Sequence, residues 1–134
     1  MERTKARACA MKLVYEWEMG GDGGDDTVIG LLEIDPAENE TGFMNEVFDG
    51  VKSYKEDLDS KIAARLNPGW TLERISRVDH AILLVGAYEL IYTDTPTGVI
   101  VNEAVELAKQ FSDDKAGSFV NGVLGNLGRS VRNA

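Results

Sequence analysis

The apolar residues of this chain recur with the period of an α-helix from its first residues to its last. Close to the N-terminus, one helical face is formed by Ala6, Ala10, Leu13, Val14 and Trp17. No segment of the sequence alternates apolar and polar residues convincingly, as a half-buried strand would. The pattern therefore predicts an all-α fold.

Turn-forming residues divide this periodic pattern into about seven helices. Glycines and aspartates at 20–26 end the first helix, Pro36 stops a short second one, and Asn67-Pro68-Gly69 forms a turn. The helices predicted after the first lie at 27–34, at 39–66 with a break near 53–55, at 71–77 with Thr71 as N-cap, at 78–92, at 99–111 and in the C-terminal segment. The short connections are typical of a compact bundle, and residues 1–134 are expected to form a single domain.

The last helix carries two distinct rows of side chains. Helical spacing gives a core stripe that consists of Val120, Leu124, Leu127 and Val131. A second row, which begins about 100° away from the first, consists of Lys115, Phe119, Gly122, Asn126 and Arg129. An aromatic ring beside a cation, an amide and a glycine suits an unstacked base and its phosphate. The alternative is that Phe119 packs beneath a neighbouring helix.

The distribution of charge allows a nucleic-acid site on an acidic protein. The net charge is −9, yet residues 1–15 hold four cations against one acid, and residues 115–134 hold three cations and no acid. Fourteen acids against two lysines lie at 16–60, where they could attract a basic partner or keep the protein soluble. Phosphate binding requires a local positive patch and not a basic whole, so both chain ends are candidates.

The sequence offers no constellation for catalysis. The single histidine, His80, follows Asp79 directly, and adjacent helical residues point about 100° apart, so the two cannot readily pair. The single cysteine, Cys9, excludes an internal disulfide and is expected to be a small buried residue. No cofactor or metal motif, secretory signal or membrane-spanning run occurs, so a cytoplasmic non-enzyme is expected.

Three stretches of the chain resemble the NusB family of bacterial RNA-binding antitermination factors. The most specific is C-terminal, where Val101-Asn-Glu-Ala-Val-Glu-Leu-Ala108 precedes Phe119-Val-Asn-Gly-Val-Leu124. The first helix, through Ala6-Arg7 and Leu13-Val-Tyr15, and the central segments at 70–74 and 79–90 are similar as well. The resemblance implies an all-helical domain that consists of two small bundles.

The resemblance also implies a function. Members of the family bind the boxA element of ribosomal RNA leader transcripts together with the small-subunit ribosomal protein NusE. The complex joins elongating RNA polymerase with other Nus factors and suppresses premature termination.

The family's functional residues carry over to named positions of this chain. The expected RNA contacts are Arg3, Lys5 and Arg7 at phosphates, Tyr15 close by, and Phe119, Asn121 and Gly122 at the bases. Asp79 is the residue expected to face NusE. Thr4 interrupts an arginine run that is longer in many relatives.

Two other functions fit the same sequence. Some RNA methyltransferases resemble this family at their N-terminus, so the chain could be an RNA-binding part of such an enzyme. That no cofactor-binding domain follows residue 134 counts against this reading. The third possibility is a protein-binding scaffold, for example a homodimer that buries the RNA surface.

Overall fold

The computed structural model describes residues 2–24, 27, 30, 32 and 42–132. These residues form the helices α1 (Arg3–Glu18), α2 (Gly42–Ala63), α3 (Arg77–Tyr92), α4 (Thr97–Phe111) and α5 (Asp114–Arg132), with a short 3₁₀ turn at Leu72–Arg74. Within these ranges there is no strand, so the predicted all-α class is confirmed. None of the described helices is both long enough and apolar enough to cross a membrane.

The described part of the chain contains five α-helices, and the prediction of about seven is corrected accordingly. The break predicted near 53–55 is a kink at Tyr54 (φ −114°, ψ 17°) inside α2. Most of the predicted helix at 27–34 lies outside the described residues. The helix predicted to start at Thr71 is wrong, because Ile75 and Ser76 are extended and the Ser76 hydroxyl caps a new helix by accepting from the Asp79 N–H at 3.0 Å.

Helix α3 lies at the centre of the fold, with every residue from Ala81 to Leu90 buried. Helices α1 and α2 pack on each other and on α3, and helices α4 and α5 do the same. The two helical groups therefore share α3, and the buried apolar residues form a continuous core. Gly86 allows α5 to approach closely, since a Cβ atom there would lie 2.5 Å from Leu124 Cδ1.

A buried ion pair connects α1 to α3. Arg7 is 4% exposed and Glu89 is 1% exposed. The Arg7 guanidinium donates to both Glu89 carboxylate oxygens, at 2.8 and 2.9 Å, and a third donor lies 3.2 Å from Glu103 of α4. Burial by itself would lower the pKa of Arg7, but the hydrogen bonds and charges of Glu89 and Glu103 outweigh it and raise that pKa. The guanidinium therefore stays charged, and its hydrogen bonds join three helices.

A second arginine connects α5 to the C-terminal end of α3. Arg132, in the last turn of α5, donates to the backbone oxygens of Glu89 at 3.0 Å and of Leu90 and Thr93, each at 2.9 Å. These carbonyls lie at and just beyond the C-terminal end of α3, where the last carbonyls of a helix lack their usual intrahelical donors. The Glu89 oxygen also accepts from the Thr93 backbone N–H at 3.2 Å. The C-terminal end of α3 is thereby held by side chains from both α1 and α5.

We predict that Glu89→Ala lowers the free energy of unfolding by about 3–5 kcal/mol, because the buried Arg7 guanidinium loses its main counter-charge. Urea denaturation followed by circular dichroism measures the change. The control is Glu106→Ala, which removes an exposed partner 3.8 Å from Lys109 and should cost at most about 1 kcal/mol. Equal losses in the two variants would show that the buried pair does not hold the helices together.

A partly buried cluster of charges joins α1, α2 and α3 at the opposite end of α3. His80 Nε2 lies 2.6 Å from Asp59 Oδ1, and His80 Nδ1 lies 3.3 Å from Glu18 Oε2. Lys55 completes the cluster at 2.6 Å from Asp59. Burial would raise the pKa of Asp59, but the hydrogen bonds and charges of His80 and Lys55 outweigh it and lower that pKa. His80 is thus a structural residue that connects helices.

We predict that Asp59→Asn makes stability less dependent on pH under acidic conditions. The folded pKa of Asp59 lies below the unfolded value of about 3.9, so its contribution is complete above that pH and is lost as the pH falls through the folded pKa. Urea denaturation at a series of pH values below about 4 measures how the free energy of unfolding depends on pH. This free energy should change less steeply with pH in the variant than in the wild type. Asp94→Asn changes an exposed residue and is the control, so its free energy of unfolding should depend on pH as in the wild type. The prediction would be contradicted if the free energy of unfolding changed equally with pH in Asp59→Asn and in the wild type.

Candidate nucleic-acid interface

Helix α5 buries one of its two predicted rows and exposes most of the other. Val120, Leu124 and Leu127 are fully buried, while Val131, near the end of the helix, is only partly buried. On the other flank Lys115, Gly122, Asn126 and Arg129 are exposed, and Phe119 is partly buried. Phe119 packs against the core with part of its ring, as the packing interpretation predicts. The rest of the ring is accessible, as stacking on a base would require.

Phe119 lies between two grooves on the surface. The first, here called the Trp70 groove, has a volume of about 380 Å³ and is lined by residues that include Trp70, Arg74, Asp79, Asp113, Lys115 and Phe119. The second, here called the Arg65 groove, has a volume of about 210 Å³ and is lined by residues that include Arg65, Asn67, Ser118, Phe119, Gly122 and Asn126. The fold therefore brings the predicted α5 residues next to side chains from the segment between α2 and α3.

The two grooves have more cations than acids along their walls. Arg65, Arg74 and Lys115 face them, and Arg129 lies one turn beyond Asn126. Of the two acids, Asp113 is occupied as the N-cap of α5, where its Oδ1 accepts from the Ala116 N–H at 2.7 Å. This end of the protein can therefore attract phosphate although the whole chain is acidic.

Asp79 places a carboxylate in the same groove as Phe119. It lies in the first turn of α3 and lines the Trp70 groove. Its Oδ1 atom is buried and has no hydrogen-bond partner among the described residues. A buried acceptor without a donor costs free energy, so this oxygen is suited to accept a hydrogen bond from a ligand or partner.

Asn121 does not share the flank of Phe119, so the structure does not bring it to the grooves where Phe119 and Gly122 lie. Two residues along a helix correspond to a rotation of about 200°. Asn121 is exposed, but it lines neither of the two grooves that contain Phe119. The Phe-Val-Asn-Gly stretch is continuous in sequence, whereas only its first and fourth residues reach this surface. Gly122 has open space where a Cβ would be, so a ligand can come close to its backbone.

Helix α1 presents some of its predicted cations and buries one of them. Arg3 and Lys5 are exposed, and the Arg3 guanidinium lies over the Phe43 ring at 3.9 Å. Arg7 is buried in its pair with Glu89, so its assignment as a phosphate contact is corrected: the guanidinium is neutralised and inaccessible in this structure. Thr4, which interrupts the arginine run, donates to Glu103 at 2.6 Å and supports the same network.

A lysine outside the predicted set brings positive charge towards α5. Lys12 Nζ lies 5.1 Å from the centre of the Phe111 ring, at the end of α4 and just before α5. Lys5, Lys12 and Tyr15 lie on one flank of α1 by helical spacing, and Tyr15 is 36% exposed. The recurrence of Lys5 and Lys12 seven residues apart was the available sequence signal. Arg65, Trp70 and Arg74 lie in or beside a turn and had no comparable periodic signal.

The described side chains offer no group of three or more residues that could hold a metal ion. The arrangement is instead one of exposed cations, a partly exposed aromatic ring and an unpartnered carboxylate. These groups can bind and orient a ligand, which is what nucleic-acid recognition requires.

Comparisons with known proteins show which family the chain is similar to. The NusB family model matches residues 4–129. Transcription antitermination protein NusB of Acetivibrio thermocellus is 41% identical over 129 residues, which cover 95% of this chain and 88% of that protein. The solved structure of antitermination factors NusB and NusE in complex with double-stranded RNA is similar with a TM-score of 0.83 and 28% identity, covering 96% of each chain. T. maritima NusB gives a TM-score of 0.82 at 26% identity, over 96% of this chain and 92% of that one.

These similarities extend over nearly the whole chain. They confirm the predicted likeness to NusB in sequence and in all-α fold. Since the matched relatives are antitermination proteins, they also confirm the expectation of a non-enzymatic protein. The chain belongs to the NusB family.

Proposed function

We propose that this protein is a transcription antitermination factor that binds boxA-like single-stranded RNA jointly with ribosomal protein NusE. The chain acts as one RNA-binding domain, and the complex joins elongating RNA polymerase with other Nus factors during ribosomal RNA transcription. Its contribution is recruitment and not catalysis. The observation that carries the proposal is the position of Phe119 between two cation-lined grooves, in a member of the NusB family.

Each class of contact has a physical role in this proposal. The RNA-binding residues are Arg3, Lys5, Tyr15, Lys115, Phe119, Gly122, Asn126 and Arg129. The cations bind phosphates, which supplies affinity independent of sequence. The Phe119 ring stacks on a base, and the Asn126 amide can hydrogen-bond to a base edge.

Asp79 is the proposed contact with NusE. Its unpartnered Oδ1 accepts a hydrogen bond from the partner, which would remove the cost of leaving that atom unsatisfied. Because Asp79 and Phe119 line one groove, a protein bound at Asp79 lies beside RNA bound at Phe119. RNA and NusE bound at neighbouring sites can also contact each other, and these additional contacts favour joint binding.

The preference for single-stranded RNA follows from the partly buried aromatic ring. A base can stack on Phe119 only when it is free of its own neighbours, which a loop or single strand permits and a continuous helix does not. The similar NusB–NusE structure contains double-stranded RNA. The strandedness of the RNA is therefore included in the test.

We predict that a mixture of this protein and NusE binds boxA RNA more tightly than either protein alone and more tightly than it binds a scrambled RNA. Fluorescence anisotropy of labelled RNA measures the affinity, with single-stranded and duplex boxA compared at the same salt concentration. Affinity should fall as salt rises, because the bound cations release counterions from the phosphates. Equal affinity for boxA and scrambled RNA would contradict the proposal. Sedimentation velocity of the same samples shows whether a homodimer competes with RNA.

We predict that Phe119→Ala weakens boxA binding by about 1–3 kcal/mol, which is the usual contribution of one stacked base. Asn121→Ala is the matched control, since it removes an exposed side chain two residues away on the opposite flank of α5. It should leave affinity unchanged. Circular dichroism of both variants checks that α5 remains folded. A large loss of helicity in Phe119→Ala would identify Phe119 as a core residue instead.

A further inference from the structure

We propose that Trp70 is a second base-stacking residue, and that Arg65 and Arg74 extend the RNA path beyond Phe119 onto the segment between α2 and α3. This inference depends on the proposed RNA-binding function and assigns new residues to it. None of the three belongs to α1 or α5, to which the RNA contacts above are confined.

Trp70 is exposed, and its backbone is held in a hydrogen-bonded turn. Its side chain is 52% exposed. The Trp70 N–H donates to the Asn67 carbonyl at 3.0 Å and closes a turn with Pro68 and Gly69 at its centre. Gly69 has φ +89°, the conformation that the third position of a type II turn requires. The indole is thus an exposed ring on an ordered turn, so the backbone loses little conformational entropy when a ligand binds to it.

Arg74 strengthens this support and adds a positive charge. Its Nη1 donates to the Gly69 carbonyl at 2.9 Å, and its guanidinium carbon lies 5.7 Å from the centre of the Trp70 ring. The cation therefore lies beside the indole, and together they match a base and its neighbouring phosphate. Both side chains line the groove that also contains Phe119 and Lys115.

Arg65 continues the path on the other side of Phe119. It lines the Arg65 groove with Gly122 and Asn126, and its Nη2 donates to the Ser130 hydroxyl at 2.6 Å. Its Nε is buried and has no hydrogen-bond partner among the described residues. A phosphate oxygen would therefore approach the exposed Nη2 edge of the guanidinium, where a charge-assisted hydrogen bond is possible.

The composition of the surface favours single-stranded RNA over a protein segment. Two aromatic rings and three cations, from Arg65, Arg74 and Lys115, follow one another across the two grooves. Alternation of stacking rings with cations is the common feature of surfaces that bind single strands. An acidic peptide would satisfy the cations but would not need an exposed indole, so RNA is the occupant that uses both.

The experiment isolates Trp70 as the fluorescent probe. The chain has two tryptophans, and Trp17→Phe leaves Trp70 as the only one. Single-stranded boxA RNA added to this variant should quench the Trp70 emission at the same concentration at which labelled RNA binds. Quenching by NusE alone, without quenching by RNA, would overturn the proposal and identify the Trp70 groove as a protein-binding site.

Affinity measurements complete the test. Trp70→Ala should weaken boxA binding about 5- to 150-fold, the loss expected for one stacked base, and Trp70→Phe should restore most of it. Arg65→Gln and Arg74→Gln should each reduce the slope of log affinity against log salt by about 0.7. Tyr54→Ala, which removes another exposed aromatic residue at 44% exposure, is the matched control and should leave RNA affinity unchanged.

The two proposals fail in different ways. If Phe119→Ala weakens RNA binding but Trp70→Ala and Trp70 fluorescence do not respond, the second stacking site is overturned and the proposed function is kept. If the wild-type protein with NusE does not distinguish boxA from scrambled RNA, the proposed function itself is overturned. Circular dichroism confirms that Trp70→Ala is folded before its affinity is compared.

Discussion

The buried pair between Arg7 and Glu89 is the interaction on which the arrangement of the other helices depends. It crosses the core from α1 to α3, reaches α4 through Glu103, and ends beside the carbonyls that Arg132 of α5 binds. Two buried charges are costly to desolvate, and the cost is offset only when both are fully hydrogen-bonded in a fixed geometry. The pair therefore acts as a geometric constraint: the helices can move relative to one another only by breaking it.

This constraint determines what the two ends of α3 can do. At its C-terminal end, Arg7 binds the Glu89 carboxylate and Arg132 binds backbone carbonyls. Its N-terminal end begins at a Ser76 cap and directs Asp79 into the Trp70 groove, where Phe119 of α5 forms part of the wall. Because Gly86 lets Leu124 pack against the middle of α3, the position of α5 is set by the core. The groove is thus a consequence of how α3 and α5 pack.

The sequence predicted what helical geometry determines locally and missed what depends on distant packing. Spacing alone separated Val120, Leu124 and Leu127 from the exposed flank of α5, because the angle between side chains is fixed within one helix. Arg7 was misassigned because its partner Glu89 is 82 residues away in the sequence. The neighbouring residues of α1 do not show whether a cation is exposed or buried. Asn121 lies on a different flank from Phe119, because residues that are continuous in sequence point in different directions on a helix. Trp70 was missed as a site residue because an irregular turn carries no periodic signal.

In the proposed function, an acidic protein directs RNA to a limited part of its surface because the rest of that surface repels phosphate. At physiological salt, charges act over about 8 Å, so the cations around the two grooves attract RNA locally and the distant acids do not cancel them. Many of those acids also have partners of their own, as Asp59 does with His80 and Lys55, and Asp57 does with Lys61. A basic protein would bind RNA over its whole surface, and phosphate attraction alone does not distinguish one register from another. On this chain three cations line the same two grooves as Phe119 and Trp70, so in the proposed function phosphate attraction and base recognition occur at one place.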